Sequence, residues 1–277
     1  MKNDFDIRTH NRPRKAPINT RPISATTTIF AKEAYYELLK YLRIPMYSGS
    51  TLLFPVMFYI LFGLLMNHGA SMGRIGVSTY LIATYGTFGV MGASLFANGI
   101  GVAVERGLGW MQVKRASPMP PFAYFTAKFF VSLVFSVTIA LILLSLGLVF
   151  GGVHITLNAA LTLIAILVAG VAPFCAMGLA IGYFAGPNSA PAAVNLIYLP
   201  LSFASGLWFP IEALPKFLQH VATYLPPYHL AQMALGVVGG VHSGSTRHHL
   251  EFLFGFTLLA LGVALIGYWR DEGKTYG

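Results

Sequence analysis

Long stretches of this 277-residue chain contain no Asp, Glu, Lys or Arg, and the lengths of four of them leave room for few folds. Thirty residues lie between Arg43 and Arg74, and thirty more between Arg74 and Glu105. Eighty-three separate Lys128 from Glu212, and eighteen separate Glu251 from Arg270. A helix needs about 20 residues to cross the hydrocarbon core of a bilayer. The longest stretch therefore folds back on itself and holds three crossings, with turns at Gly151-Gly152-Val153-His154 and Gly186-Pro187-Asn188-Ser189. Six spans result, at about 48–68, 78–103, 127–150, 158–184, 191–209 and 249–269. Helix is the state for each, because backbone groups in lipid must be satisfied within the segment, and the alternation of a membrane barrel is absent.

Composition agrees. Charged residues make up 10% of the chain and apolar ones 56%, against about 25% charged in an average soluble domain. That balance excludes a disordered chain, a disulfide scaffold and a nucleic-acid-binding domain. The single cysteine, Cys175, and the ten methionines read as packing between spans. The first 27 residues are polar and carry both charge signs, so they read as a mobile basic tail rather than a leader.

Lysine and arginine set the orientation. Nine lie before span 1, four around the loop after span 2 and two in the C-terminal tail, against three (Arg74, Lys216 and Arg247) on the other side. Both termini and the loop 104–123 are therefore expected on the cytoplasmic side of a plasma (inner) membrane, and 210–245 outside.

Three segments are not simple spans. Residues 28–46 form an amphipathic pattern, with Lys32, Glu33, Glu37, Lys40 and Arg43 on one arc and Ala31, Ala34, Tyr35, Leu38, Leu39 and Leu42 on the opposite one. Such a helix lies in the membrane interface, and its charged face is a candidate for docking a cytoplasmic partner. The loop after span 2 holds an acid-base pair, Glu105-Arg106, a short helical run over 108–116 with Trp110, Lys114 and Arg115, and a Ser117-Pro118-Met119-Pro120-Pro121 stop. Segment 210–245 has two short apolar runs, 216–224 and 229–239, split by Leu225-Pro226-Pro227. These read as a re-entrant hairpin. The fold class is thus an all-α integral membrane protein: six transmembrane helices, an N-terminal amphipathic interfacial helix, and a re-entrant helical hairpin before the last span.

Single residues within the spans also carry information. Asn98 in span 2 and Asn195 in span 5 are polar amides that need partners, across helices or in a path. Phe203 and Trp208 give span 5 an aromatic surface suited to an amphiphile or to the membrane interface. Gly178, Gly182 and Gly186 permit close helix packing. His242, His248, His249 and Glu251 lack a metal-ligand pattern and read as a solvated loop, and no set of residues points to a metal or to catalysis.

Two local patterns make the chain similar to a known family, the permease subunits of ABC-2 type exporters. The first is Glu105-Arg106-Gly107 followed by Lys114-Arg115-Ala116-Ser117-Pro118-Met119, although Trp110 stands where the family usually has Thr. The second is Ser205-Gly206-Leu207-Trp208-Phe209-Pro210-Ile211-Glu212-Ala213-Leu214-Pro215 with Leu225-Pro226-Pro227-Tyr228-His229 after it. The resemblance implies a six-span domain over 47–270, ending in a short cytoplasmic tail, 271–277. It implies a connecting helix at 28–46 and a coupling helix in 104–123 that dock on a separate ABC ATPase. Glu105, Arg106, Gly107, Trp110, Lys114, Arg115, Ser117, Pro118 and Met119 would make that contact.

It further implies pairing with a second permease subunit, either a copy of this chain or a paralogue. Spans 2 and 5 would line a path, with Asn98, Asn195, Phe203 and Trp208 as candidates, and Phe209, Pro210, Glu212 and Pro215 would cap it outside. The expected function is bacterial export of an amphiphilic drug or lipid-like cargo, with a polysaccharide as the alternative. The readings from other classes, an ion-coupled transporter or an intramembrane enzyme, need carboxylates or a nucleophile deep in the spans. No phosphate-binding loop is present: Gly273-Lys274-Thr275 has Tyr268 where such a loop needs glycine. ATP and magnesium would be bound by the partner.

Overall fold

The computed structural model describes residues 23–66, 69–72, 75–117 and 119–272. Most of the tails expected at 1–27 and 271–277 lies outside these residues, as does Pro118.

The first helix, α1, covers Ile23–Leu42. Ile44 is extended (φ −100°, ψ 91°), and Pro45 opens α2, Pro45–Phe58. A proline there loses no hydrogen bond and forces the residue before it out of the helical region, so the chain bends between the two helices. α2 continues through a π-helical segment, Tyr59–Leu65. A two-residue hairpin, β1 (Ser71–Met72) against β2 (Ile75–Gly76), leads into the next helix.

That helix is the central rod. α3 (Val77–Leu95), a second π-helical segment (Phe96–Ile100) and α4 (Gly101–Gly107) form one 31-residue helix. Every residue of α3 from Tyr80 onward is buried, because α2, α6, α8, α9 and α11 pack around it. A short helix, α5 (Trp110–Ala116), precedes the 30-residue α6 (Pro121–Phe150). α7 (Leu157–Ala169) and α8 (Val171–Phe184) run on from each other across a break at Gly170. α9 is Ala190–Ala204, α10 Lys216–Ala222, α11 Pro226–Val237 and α12 Thr246–Glu272.

Among the described residues, five helices are long and apolar enough to cross a membrane: Pro45–Leu65, Val77–Gly107, Phe122–Phe150, Leu157–Phe184 and Thr246–Asp271. They give the chain the layout of a multi-pass membrane protein. The span expected at 191–209 is shorter than that. α9 has 15 residues, roughly 22 Å at 1.5 Å each, where the hydrocarbon core is about 30 Å. It stops early because Gly206 takes φ +73°, a conformation that favours glycine. The Leu207 amide then folds back to the Ser202 carbonyl at 3.2 Å.

The segment after α9 turns inward. α11 is buried from Pro226 to Leu235 and packs on α3, α7 and α12. Its seat exists because Gly170 has no side chain: a methyl group there would collide with Leu230.

His229 on α11 is nearly inaccessible. One ring nitrogen lies 2.9 Å from the Thr223 carbonyl and the other 2.8 Å from His249, while the ring stacks on Phe252 at 3.8 Å. Burial pushes its pKa down to about 4, helped by His249 and His248 and opposed by the Thr223 carbonyl. The ordinary value is 6.5, so between these limits the unfolded chain binds the proton more readily than the folded one. Stability is therefore complete above about 6.5 and declines as pH falls toward about 4. The purified protein is expected to melt several degrees lower at pH 5 than at pH 7.5. In His229→Phe that difference should shrink, and an unchanged difference would place the titrating group elsewhere.

Candidate functional site

One end of the bundle carries most of the described charge, and the residues that build it come from α1, α4, α5, α6, α8 and α12. Glu105 and Arg106 sit at the end of α4. Gly109 (φ +74°) reverses the chain, and α5 starts at the next residue. A methyl group on Gly107 would stand 2.5 Å from the Pro187 side chain, so glycine is needed for this exit to pass the α8–α9 turn. Ser117 closes α5 with its hydroxyl on the Lys114 carbonyl at 2.7 Å.

Glu105 and Arg106 are sequence neighbours that do not pair with each other. Glu105 turns toward α1 and α6, and Arg106 toward α8 and α12. Arg106 donates to the Gly182 carbonyl and to Asp271, both at 2.6 Å, and its guanidinium lies 5.4 Å from the centre of the Tyr183 ring. The Gly182 carbonyl belongs to the last turn of α8, where the helix dipole also favours a cation.

Glu105 enters a buried ionic cluster. Lys128 of α6 is fully buried and donates to Glu105 at 2.7 Å, to Glu37 of α1 at 2.6 Å and to the Tyr41 hydroxyl at 3.0 Å. The three donors of its ammonium group are thereby used. Lys40 pairs with Glu37 at 2.6 Å and also with Glu105. The Tyr124 hydroxyl donates to the other oxygen of Glu105 at 2.7 Å. Two glutamates and two lysines thus neutralise each other within the protein. Burial raises the Tyr41 pKa well above its usual value, which keeps its hydroxyl protonated and able to donate.

A second ion pair, Lys114 with Glu33, ties α5 to α1, and the Lys114 ammonium lies 4.5 Å from the centre of the Tyr124 ring. Met111 and Met119 pack with Tyr124, Phe125 and Tyr183 on the inner side of α5. Leu108, Trp110 and Val113 remain 68%, 55% and 65% exposed. A short helix is thereby held firmly on one side and presents an apolar face on the other. Beside it, between α1 and the central rod, lies a cavity of about 570 Å³ walled by Tyr36, Ile44, Phe96, Ile100, Val104 and Trp110.

The structure therefore brings together Glu33, Glu37 and Lys40 with Glu105 and Lys114, and it turns the charged arc of α1 onto the protein. Lys32 and Arg43 are exposed, while Tyr35, Tyr36 and Leu42 face outward. The Arg115 side chain lies outside the described residues. Lys128, Tyr41, Tyr124 and Asp271 complete the site and were missed in the sequence reading, which placed Lys128 at the edge of its span. The missed signal is Pro121, a first-turn residue that starts α6 two turns before Lys128.

The other candidates lie apart from this cluster. Asn98 is buried and donates to the Ser94 carbonyl at 2.8 Å, Ser132 of α6 at 3.0 Å and Cys175 of α8 at 3.2 Å. Asn195 is exposed on α9 and bonds the Pro191 carbonyl at 2.9 Å. Phe203 stacks on Trp208 at 4.8 Å, and Trp208 also meets Phe58 at 4.5 Å and donates to Ser202 at 2.9 Å. Phe209 is exposed, and Pro215 immediately precedes α10. Pro210 and Glu212 line a cavity of about 240 Å³ with Tyr80 and Gln232.

Two comparisons with known proteins bear on this arrangement. The sequence model of the family described as ABC-2 type transporter matches residues 34–238, from α1 to the end of α11. A Bacillus subtilis (strain 168) protein named "Putative transport permease YvfS" is 26% identical over 212 residues, covering 76% of this chain and 86% of the relative.

Proposed function

The chain belongs to the ABC-2 type transporter family, and we propose that within it the chain is the membrane half of an exporter driven by a separate ABC ATPase. The family makes it a transport permease, a membrane subunit of an ABC transporter. The observation that carries the rest is α5. A seven-residue helix anchored through Lys114, Met111 and Met119, with Leu108, Trp110 and Val113 outward, is built to receive a push and pass it on. In this reading the charged end faces the cytoplasm, α5 is the coupling helix, and α1 is the connecting helix. ATP and magnesium are held by the partner. A second permease subunit completes the path.

The cargo is an amphiphile. Support comes from the cavity of about 570 Å³, walled by apolar residues of α1 and the central rod on one part and by Glu33, Glu37, Lys40, Glu105 and Lys114 on another, a volume within the range of small-molecule sites. Glu105 and Lys128 lie within the long apolar helices, and each is neutralised by a partner. A coupling-ion site would need a carboxylate that is free to exchange its cation.

Gentle detergent extraction followed by mass spectrometry tests the reading. A stoichiometric protein carrying a phosphate-binding loop is expected with the wild type. It should be lost from a Leu108→Ser, Trp110→Ser, Val113→Ser variant that extracts at normal yield. A chain that purifies alone with transport intact would end the ATPase-driven reading.

A further inference from the structure

The central rod changes its helical winding at one place, and α1 reaches that place with a single side chain. At Gly101 the backbone amide is shared between the Asn98 carbonyl, three residues back, and the Phe96 carbonyl, five residues back. The carbonyl of Ala97, four residues back, is left off that amide, as expected of a π-helical segment. It accepts the Tyr41 hydroxyl at 2.7 Å instead. Tyr41 is buried, and the same hydroxyl receives a hydrogen bond from Lys128 at 3.0 Å. Position 101 is glycine for a local reason: a methyl group there would collide with the Tyr41 hydroxyl.

A second tyrosine repeats the contact one turn away. Tyr47, in the first turn of α2, donates to the Ala93 carbonyl at 3.1 Å, and its ring lies 4.4 Å from that of Tyr41. The bend between α1 and α2 is thus fastened to the rod on either side of Ile44. The same segment is also held by Asn98, through Ser132 of α6 and Cys175 of α8. The π-helical segment therefore has two anchorages, one of which belongs to the helix that carries Glu33, Glu37 and Lys40.

We infer that Tyr41 is a positioning residue that couples α1 to the central rod at a π-helical hinge, Phe96–Ile100. This rests on the function proposed above and adds the point at which motion enters the rod. With the hydroxyl on Ala97, the released carbonyl is satisfied and the π winding is held. When α1 moves and takes the hydroxyl away, the carbonyl must recover an amide, and the winding below Phe96 changes relative to that above it. A segment with two hydrogen-bonding arrangements, biased by a side chain from another helix, has the form of a molecular switch.

The test compares the full complex with Tyr41→Phe, which keeps the ring and removes the hydroxyl, and with Gly101→Ala, which leaves Tyr41 intact and occupies its seat. Hydrogen–deuterium exchange of the amides at 96–102 is expected to rise in both variants, with α6 amides at 136–146 unchanged. The ratio of cargo moved to ATP hydrolysed is expected to fall about fivefold or more. Unchanged exchange at 96–102 in Tyr41→Phe would overturn the inference. So would raised exchange with an unaltered transport ratio. Exchange is read on the permease itself, so a wild type that retains no ATPase would defeat the proposed function, while the exchange result would still judge the hinge.

Discussion

Replacing Lys128 by methionine is expected to destabilise the protein by about 3–5 kcal/mol, the cost of removing one partner from a buried ion pair. The lysine is fully buried and its three donors are used on Glu37, Glu105 and Tyr41. Methionine fills similar space but leaves two carboxylates short of charge and hydrogen bonds. Lys40 softens the loss, because it already contacts both acids from a partly exposed position, so the lower end of the range is expected. Thermal melting in detergent and extraction yield read the effect. The triple variant Glu37→Gln, Glu105→Gln, Lys128→Met removes the three buried charges, leaves only the partly exposed Lys40, and should recover most of the loss. A single variant that melts with the wild type would show that the cluster does not hold α1, α4 and α6 together.

The second large effect is expected at Gly182. A methyl group on this residue would lie 2.8 Å from the Asn98 carbonyl, 2.9 Å from Val102 Cβ and 3.0 Å from the Gly99 carbonyl. Two of those atoms are backbone and cannot turn aside. Gly178 makes a similar approach, 2.9 Å from Asn98 Cβ and 3.1 Å from the Ser94 carbonyl. Gly182→Leu must therefore drive α8 away from the central rod, at a cost of about 3 kcal/mol or more, the upper range for overpacking. It also moves the carbonyl that holds Arg106. Gly186→Leu is the control, because a methyl group there would meet, among the described residues, nothing nearer than the Ser189 hydroxyl at 3.5 Å. Melting temperature and ATPase retention should fall in the first variant and stay near wild type in the second. Equal behaviour would mean that α8 is not seated through its glycines.

The membrane helices were legible because their cause is local: the bilayer sets a length, and charge-free stretches of that length are visible in a sequence. The turns at Gly151-Gly152 and Gly186-Pro187 follow from residue type alone. α9 was read too long at its C-terminal end because helix termination there depends on Gly206 taking φ +73°, which composition does not display. The charges before span 1 and after span 2 were legible as candidates, and the structure brings several of them together. The missing member was Lys128. A lysine near a span end counts as a flank until its partners are known, and these lie on α1 and α4, distant in sequence and adjacent in space. The break in winding at Phe96–Ile100 had no specific signal: Asn98, Gly99 and Gly101 are weak helix formers, which marks a soft stretch of helix but does not distinguish π winding from α.

The ionic cluster also has an order of arrival. Chains are synthesised from the N-terminus, so Glu37 and then Glu105 leave the ribosome before Lys128 does. An unpaired cation within an apolar helix is costly in lipid, and both acids that neutralise this lysine in the folded protein precede it in the chain.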